Sequence, residues 1–549
     1  MSPLIAALFS FVAYLVGYHL YAKHLAAKVF KLDPDRVTPA HELEDGIDYV
    51  PCNKFVLFGH HYASIAGLSP MLGPAIAVIW GWLPAMLWVV FGTIFIGAVH
   101  DFSALVISMR AKGKSVGKVA EDIIGARAKT LFHILIFFLI ALAMGVFVNV
   151  CATLLSTAYN PEAFYPSAFL MMVAMLMGYL VYRRGWSIAP LAAIGFVLTL
   201  LSVWAGTRLP ILDLSLNQWS LILLGYAFLA SVLPVWQLLQ PRDFINSLLL
   251  YLGLGSILLG FFFLNPSFAA PAVQAAPTGA PPIFPFVFIV IACGSISGFH
   301  GLVSSGTTAK QINNETDAPL IGYGGMIGES VLGLVAVLAC TAGFINPEAW
   351  QTHYASWDLA QGLGPNMQAF INGCAVFLGQ LGLPADVAKA FVALVAISFA
   401  LTSLDSATRL LRFNISEMGE TAKVPALANR YFASVLAILA IGFFAFYRID
   451  GQPAGLALWQ LFGTTNQIMG TLTLVAVTLY LLQRGRPIWF TALPGAFMLV
   501  TTMVAMIIKL RDFWNLQAYL LLIMGIGILV LAVWLTVEAA LRLRATQRS

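Results

Sequence analysis

Charged side chains are scarce in this chain of 549 residues, since Asp, Glu, Lys and Arg together make up only 10% of it. Soluble domains carry about 25%. Hydrophobic residues account for 60% of the chain, more than a soluble fold can bury. The composition therefore excludes a soluble enzyme, and it excludes a nucleic-acid-binding domain because such a domain needs a solvated basic face. The net charge of +5 is instead expected to come from loops on the cytoplasmic side of a membrane.

Cysteine is also rare, and the motifs of several enzyme classes are missing. The five cysteines lie mostly within apolar runs and form no CxxC pair, so no redox or metal motif is indicated. There is no HExxH, GxxxxGK[ST] or CxxCH pattern, so metalloprotease, ATP-driven pump and c-type cytochrome lack a supporting motif. We therefore expect no enzyme activity and no cofactor or metal, and we expect any transport to be driven by an ion gradient.

Long apolar runs are abundant, and they define the fold class. A spanning helix needs about 20 apolar residues, and such runs continue from near the first residue to about Leu541. Helices are expected because unpaired backbone groups in hydrocarbon are costly and the runs lack the alternation of barrel strands. The sequence predicts an all-α polytopic membrane bundle of about fifteen helices, at 3–22, 55–80, 84–107, 130–152, 166–182, 187–207, 217–239, 246–265, 284–308, 320–344, 385–411, 428–446, 456–482, 487–508 and 516–540.

The predicted spans form three regions along the chain. An N-terminal helix and cytoplasmic loop (1–54) precede a transporter core (55–482), and C-terminal helices with a cytoplasmic tail (483–549) follow it. Basic residues favour cytoplasmic loops, and an external N-terminus places most of the 29 Lys and Arg residues inside, together with the C-terminus. The expected location is the inner membrane of a bacterium.

A sequence pattern that occurs twice suggests that the core contains a repeat. Residues Gly59 to Gly67 and Gly298 to Gly306 both read G-x-H-x5-G, each in a helix interrupted by Gly, Ser and His. An odd number of predicted spans separates the two starts, so the second copy runs opposite to the first. This arrangement is typical of inverted-repeat transporters. We therefore predict repeats at 55–207 and 284–482, with two helices at 217–265 between them.

The first copy lies in GHHYASIAGLSPMLGP, which contains His60, His61, Ser64 and Gly67. This composition is poor for a continuous helix and suits an unwound one, whose free N–H and C=O groups can bind a carboxylate or a cation. Close packing through small residues is the alternative. Packing explains the glycines but not two adjacent histidines, so we favour a binding segment.

The second copy, CGSISGFHGLVSSGTTAKQI, brings hydroxyls and one imidazole to the predicted site. The candidates for substrate binding are Ser297, His300, Ser304, Ser305 and Thr308. Ser and Thr in membrane helices often bond to the preceding turn instead. The glycines beside them favour a binding helix.

Candidates for ion coupling lie farther along the chain. Asp405 sits in an apolar helix, where a carboxylate must be paired, hydrated or protonated. With Thr402, Ser403 and Ser406 it offers oxygen ligands for Na⁺ or a carboxyl for a proton, unless it pairs with Arg409 or Arg412.

Three further side chains are weaker candidates for a functional role. Glu329 is a second candidate for coupling, as a proton carrier or as a partner of a neighbouring helix. His100 and Asp101 are expected to form an interfacial pair at the end of a span.

Several segments resemble the carbon starvation protein A family. They are FGHHYASIAGLSPMLGPAIA with GWLPAMLW and GAVHDF, then GSISGFHGLVSSGTTAKQI, and finally LWQLFGTTNQ, in matching order over roughly residues 50 to 480. The resemblance implies a bacterial inner-membrane transporter that takes up peptides during carbon starvation, with close relatives that are proton-coupled pyruvate symporters. The chain is shorter than the longer members at its C-terminal end, and it has His100 where those members are expected to have Gln.

The resemblance also implies a fold of the amino acid–polyamine–organocation superfamily (APC, LeuT-like). This fold is an inverted repeat of five plus five helices, to which the present chain adds further helices. The spans at 55–80 and 284–308 would then be the two broken helices. LTSLDSATR, residues 401–409, would lie in the eighth core helix, where related symporters often place a sodium site.

We therefore expect a secondary active transporter that imports small peptides or a carboxylate such as pyruvate. Its partners would be that small molecule, protons or Na⁺, and the lipid bilayer, but no nucleic acid. Protons are favoured because histidine changes charge near neutral pH. One alternative is a metal- or haem-binding redox protein that uses His60, His61, His100 and His300. Another is a nutrient sensor that does not transport.

Overall fold

The computed structural model describes residues 2–157, 159–206, 208–209, 212–449 and 451–548, and the described part is almost entirely helical. The longer helices are α1 (Pro3–Phe30), α2 (Lys54–Ile65), α3 (Ser69–Trp80), α4 (Trp82–Arg110), α5 (Val116–Ile123), α6 (Ala126–Leu154), α7 (Pro161–Arg184), α8 (Ile188–Gly206), α9 (Leu216–Val232), α10 (Leu239–Leu264), α11 (Ile283–Val290), α12 (Gly298–Gly306), α13 (Glu315–Ala342), α14 (Leu363–Gly379), α15 (Ala385–Ala422), α16 (Arg430–Phe446), α17 (Trp459–Leu482), α18 (Trp489–Asn515) and α19 (Tyr519–Arg548). Two short strands, β1 (Arg448–Ile449) and β2 (Gln452–Pro453), pair antiparallel. The predicted all-α membrane class is confirmed.

The predicted number of fifteen spans is not confirmed. Among the described residues, eleven helices are long and apolar enough to cross a membrane, and the bent pair α2 and α3 makes twelve. The helices α9 and α16 are apolar but shorter, at 17 residues each. The predicted span at 284–308 is divided into α11 and α12. The predicted boundaries differ from the structure because hydropathy does not show where a helix stops inside an apolar run.

Two helices are interrupted within the bundle, and their interruptions lie against each other. The chain bends by 48° between α2 and α3, and seven residues lie between the end of α11 and the start of α12. A Cβ added at Gly73 of α3 would lie 2.7 Å from the carbonyl oxygen of Val290, at the end of α11. At the second interruption, Gly294 has φ +91°, which glycine adopts at little cost. The predicted unwinding of both segments is therefore seen in the fold, whereas the inverted repeat remains a prediction.

Several basic side chains lie at one end of the bundle, and ion pairs hold its loops together. The ammonium of Lys112 lies 2.5 Å from Glu42, and that of Lys118 lies 2.7 Å from Glu420. Arg36 lies 3.1 Å from Glu315. We call this end, formed by residues 31–53, 111–125, 307–314 and 423–429, the basic face.

The contact between α4 and the second interruption leaves no room for a side chain. A Cβ at Gly97 would lie 1.9 Å from the carbonyl oxygen of Ser295, whereas a Cβ at Gly255 of α10 meets nothing within 4 Å. We expect Gly97→Ala to destabilise the protein by about 1–3 kcal/mol, because overpacking must move the backbone. Gly255→Ala should leave stability unchanged or slightly raised, since alanine favours helix.

The measurement is a thermal unfolding curve of the detergent-purified protein with a thiol-reactive fluorophore. All five cysteines are buried, so most of the labelling should occur as the protein unfolds. The expected shift for Gly97→Ala is a Tm roughly 2 °C lower. Equal melting temperatures of the two variants would contradict the tight contact.

Candidate functional site

A cavity of about 560 Å³ leads into the bundle and ends at the two interrupted helices. Its floor includes Ser69, the first residue of α3, and Cys293, in the gap between α11 and α12. Tyr159, Trp357 and Leu456 lie along its walls. These wall residues follow the ends of helices that start at the basic face, so the cavity opens at the opposite end of the bundle.

Behind the floor lies a group of buried imidazoles and carboxylates, which we call the histidine cluster: His100, Asp101, His300 and Glu329. Nδ1 of His300 lies 3.1 Å from Oδ2 of Asp101, and its Nε2 lies 3.2 Å from Oε2 of Glu329. The other oxygen of Asp101 lies 2.7 Å from Nδ1 of His100. Glu329 also accepts a hydrogen bond of 3.2 Å from the backbone N–H of Gly294 in the second interruption. Three helices, α4, α12 and α13, thus meet through one group of buried titratable side chains.

The structure corrects the expectation for His100 and Asp101. Both side chains are fully buried, so they do not form an interfacial pair at the end of a span. Asp101 instead joins His100 to His300 across two helices. The predicted boundary at residue 107 misled the interpretation, because α4 continues to Arg110 and carries both residues into the interior.

A second buried group, the arginine cluster, lies on the other side of α2: His60, Tyr226, Arg242, Asp243 and Asp405. The guanidinium of Arg242 contacts Asp405 and Tyr226, and its Nη2 lies 3.0 Å from Oδ1 of Asp243. Tyr226 donates a hydrogen bond of 2.5 Å to Asp405. Nδ1 of His60 lies 2.6 Å from Oδ2 of Asp243. One guanidinium therefore faces two carboxylates, and protonation of His60 would balance the remaining charge.

Asp405 does not pair with Arg409 or Arg412, which had been the alternative to an ion-coupling role. Those two arginines bind Asp48 instead. The partner of Asp405, Arg242, was missed because the predicted span began at residue 246. Helix α10 begins at Leu239 and buries both Arg242 and Asp243. Two charged residues beside a long apolar run were the signal that sequence reasoning could have used.

The two adjacent histidines of α2 contact different groups. His60 belongs to the arginine cluster, whereas Nδ1 of His61 lies 2.9 Å from Oγ1 of Thr308. A Cβ added at Gly325 would lie 2.7 Å from Cδ2 of His61, so that glycine makes room for the ring. Neighbouring residues on a helix point about 100° apart. The pair therefore does not offer two ligands to one ion.

The remaining predicted residues are buried and mostly bonded to one another. Ser64 and Ser406 share a hydrogen bond of 2.8 Å, and Ser403 donates to the carbonyl of Ser64 at 3.0 Å. Thr402 accepts from Asn246 at 3.0 Å. These contacts fix α2 against α10 and α15 beside the first interruption. A Cβ at Gly67 would lie 2.6 Å from Oγ of Ser403, so this contact also needs a glycine.

The second predicted segment is divided between two environments. Ser297 shares hydrogen bonds of 3.0 and 3.1 Å with Asn466 of α17. Ser305 accepts from the backbone N–H of Val116 at 3.1 Å, toward the basic face. The hydroxyl of Ser304 is buried without a hydrogen-bond partner among the described residues. The predicted binding residues thus surround the interruptions but lie behind the cavity floor, and their roles in binding stay predictions.

One set of side chains has donor types that suit a transition metal. Atoms of Cys293, His300 and Glu329 lie within 4.8 Å of one another, and zinc accepts sulfur, imidazole and carboxylate ligands. Both ring nitrogens of His300 already face carboxylates, however.

A further set of contacts, which we call the basic-face lock, lies between the clusters and the basic face. Asp48 accepts a hydrogen bond of 2.6 Å from Arg409 and one of 3.0 Å from Arg412. The ammonium of Lys310 lies 3.5 Å from the ring centroid of Phe413. The backbone N–H of Cys52 donates to Gln311 at 3.0 Å. The lock thus ties the loop before α2 to the segment after α12 and to α15.

The charge on Asp48 makes the lock insensitive to moderate acid. Burial acts to raise the pKa of Asp48, but Arg409, Arg412 and Lys310 together hold that pKa well below its usual range. A carboxylate with a lowered pKa loses its stabilising contribution only when the pH falls through that lowered value. Asp48 therefore stays ionised at the pH of a cell, so its carboxylate cannot be the group that exchanges a coupled proton.

We expect Asp48→Asn to loosen the lock, because two buried arginines lose their charged acceptor. A hydrogen bond to a charged group contributes about 1.5–3 kcal/mol. The reactivity of Cys52, 3% exposed in the closed structure, toward a water-soluble maleimide should therefore rise about tenfold or more. Asp35→Asn is the matched control, because Asp35 is exposed and lies outside the lock. Unchanged labelling of Cys52 in Asp48→Asn would contradict this role.

The chain is similar in sequence to known membrane transporters. The family model described as carbon starvation protein CstA matches residues 2–362 and 344–505. A peptide transporter CstA from Campylobacter jejuni is 33% identical, over 91% of this chain and 79% of that protein. A peptide transporter CstA from Escherichia coli is 34% identical, over 90% and 79%. The pyruvate/proton symporter BtsT of Escherichia coli is 32% identical, over 90% and 80%.

Proposed function

The chain belongs to the carbon starvation protein CstA family, and from this premise we propose that it is a proton-coupled secondary transporter of small peptides or of a carboxylate such as pyruvate. Relatives named as peptide transporters and as a pyruvate/proton symporter support both substrate classes. The protein is a transporter and not an enzyme.

The observation that carries this proposal is the relation of the cavity to the histidine cluster. The cavity ends at Cys293, and the backbone of the next residue, Gly294, is hydrogen-bonded to Glu329 of the cluster. A substrate bound at the floor would therefore lie one backbone segment away from a group that can exchange protons. Movement of the second interruption can couple the two events, because it changes the substrate site and the environment of Glu329 together.

Alternating access is supported by the opposite states of the two ends. The cavity is open at the end away from the basic face, while the basic-face lock closes the other end. Since basic loops favour the cytoplasm, we assign the basic face to the cytoplasmic side of a bacterial inner membrane. The N-terminus then lies outside and the C-terminus inside. In this orientation the structure is open to the outside.

The arginine cluster supports protons over sodium as the coupling ion. Asp405 and the hydroxyls around it were candidates for a sodium site, but the guanidinium of Arg242 lies against Asp405. The hydroxyls of Ser403 and Ser406 bond to Ser64, and that of Thr402 donates to the carbonyl of Ser398. A fixed cation thus takes the position beside the carboxylate that Na⁺ would need.

The test is uptake into proteoliposomes with an imposed pH gradient. For one proton per substrate, a gradient of one pH unit can support roughly tenfold accumulation, because each 1.4 kcal/mol is a factor of ten. Labelled dialanine and pyruvate should be compared, with and without a protonophore, and with Na⁺ replaced by K⁺. Accumulation that disappears with the protonophore but not with Na⁺ removal is expected. If neither substrate accumulates, or if Na⁺ is required, the proposal is wrong.

A further inference from the structure

The cavity walls contain two charged side chains among many apolar ones, and the two lie at different depths. They are Lys509 of α18 and Asp358 of the short helix Trp357–Ala360. The aromatic rings of Tyr159, Phe286 and Trp459 lie along the same walls. A pocket with apolar walls and a few polar groups is typical of a site for a small organic molecule. The charges then decide which molecules enter.

Lys509 is placed inside the bundle although its helix could have directed it elsewhere. A lysine near the end of a membrane helix usually extends its ammonium to the water interface. Two residues later, Arg511 on the same helix is exposed. Lys509 is only partly exposed, and its ammonium lies 5.4 Å from the ring centroid of Phe286, a buried residue of α11. The ammonium therefore lies among the residues that line the cavity, and Asp512, one turn farther along α18, is a further electrostatic partner.

Lys509 lies in the outer half of the cavity and not at its floor. The ring that it overlies, Phe286, lies near the start of α11, whereas Cys293 lies beyond the end of that helix at Val290. A single carboxylate cannot contact both places at once. A molecule that enters the cavity would therefore meet Lys509 first and the cavity floor afterwards.

We propose that Lys509 is the residue that first captures the free carboxylate of an incoming substrate, before that substrate reaches the cavity floor. This inference rests on the proposed function and adds the chemical group that the outer cavity selects. An ammonium in a partly desolvated, aromatic-lined pocket attracts an anion more strongly than one in water does. Asp358 lies at the exposed mouth and faces the other end of the substrate. A peptide zwitterion satisfies both charges, whereas pyruvate satisfies Lys509 alone.

The test is a binding titration on the detergent-purified full-length protein, which needs no gradient. Dialanine, dialanine amide and pyruvate are titrated by calorimetry into the wild type, Lys509→Met, Lys509→Arg and the control Arg511→Met. Lys509→Met is expected to raise the Kd of dialanine and pyruvate about tenfold, as loss of one charged contact predicts. Lys509→Arg should restore binding to within about threefold, because it keeps the positive charge. Dialanine amide should bind weakly to the wild type and no more weakly to Lys509→Met.

A second variant separates the two charges. Asp358→Asn should weaken the binding of dialanine but leave that of pyruvate unchanged, because pyruvate has no ammonium group. The inference is overturned if the wild type binds neither carboxylate, if Lys509→Met does not change the Kd, or if it weakens the amide and the free acid equally. A transport failure is a different result, since protein that binds carboxylates through Lys509 but does not accumulate them would contradict only the proposed function.

Discussion

Replacing Arg242 by methionine is expected to abolish uptake and to lower the Tm by roughly 4 °C. The guanidinium is buried between Asp405 and Asp243, and its removal leaves two carboxylates with too little positive charge. Breaking a buried ion pair in this way costs about 3–5 kcal/mol, which corresponds to a shift of this order in a large protein. The measurements are uptake in proteoliposomes and unfolding followed by labelling of the buried cysteines.

Two further variants separate the charge from its geometry. In Arg242→Met with Asp405→Asn, one carboxylate is removed with the cation, so at least half of the lost Tm should return while uptake stays absent. Arg242→Lys keeps the charge but cannot hold two carboxylates with one planar group. This variant should therefore fold, but it should transport substrate more slowly than the wild type. The exposed Arg208→Met is the matched control. A fully active Arg242→Met would show that the cluster has no part in transport.

Replacing Glu329 by glutamine is expected to uncouple transport from the pH gradient. Glutamine has nearly the same shape, and its carbonyl oxygen can still accept the hydrogen bond from Gly294. It cannot change its protonation, so the histidine cluster loses the carboxylate that faces Nε2 of His300. Accumulation under a gradient of one pH unit should therefore fall from about tenfold to about onefold.

Exchange of labelled for unlabelled substrate across the membrane should continue in Glu329→Gln, since exchange needs no net proton movement. The ratio of exchange to driven uptake is the measurement that distinguishes coupling from folding. Glu348→Gln, at an exposed position on the outer loops, should behave like the wild type. If Glu329→Gln still accumulates substrate against its gradient, the coupled proton must be carried elsewhere, and His60 of the arginine cluster becomes the next candidate.

The membrane class and most of the helices could be predicted from the sequence. Apolar runs such as 130–152 and 516–540 correspond to α6 and α19, because in hydrocarbon a backbone has to satisfy its own hydrogen bonds. The two unwound segments were also predictable, since Gly, Ser and Pro are weak helix formers and occur there together. Boundaries were not predictable in the same way, and the error at α10 hid Arg242 and Asp243.

The partners of the buried charges on other helices could not be predicted. Asp405 is closer in sequence to Arg409 and Arg412 than to Arg242, yet it binds Arg242, 163 residues away. Likewise, Asp101 binds His300 across 199 residues. Sequence spacing indicates partners only within one helix.

Composition and pattern alone thus determined that this protein is a helical membrane protein with two interrupted helices, because each of these properties follows from local chemistry. The tertiary structure decided which carboxylate meets which cation, which end of the bundle is open, and where the cavity stops. These features depend on how helices distant in the chain pack together, and the cost of burying an unpaired charge selects among the possible pairings only when all the helices are in place.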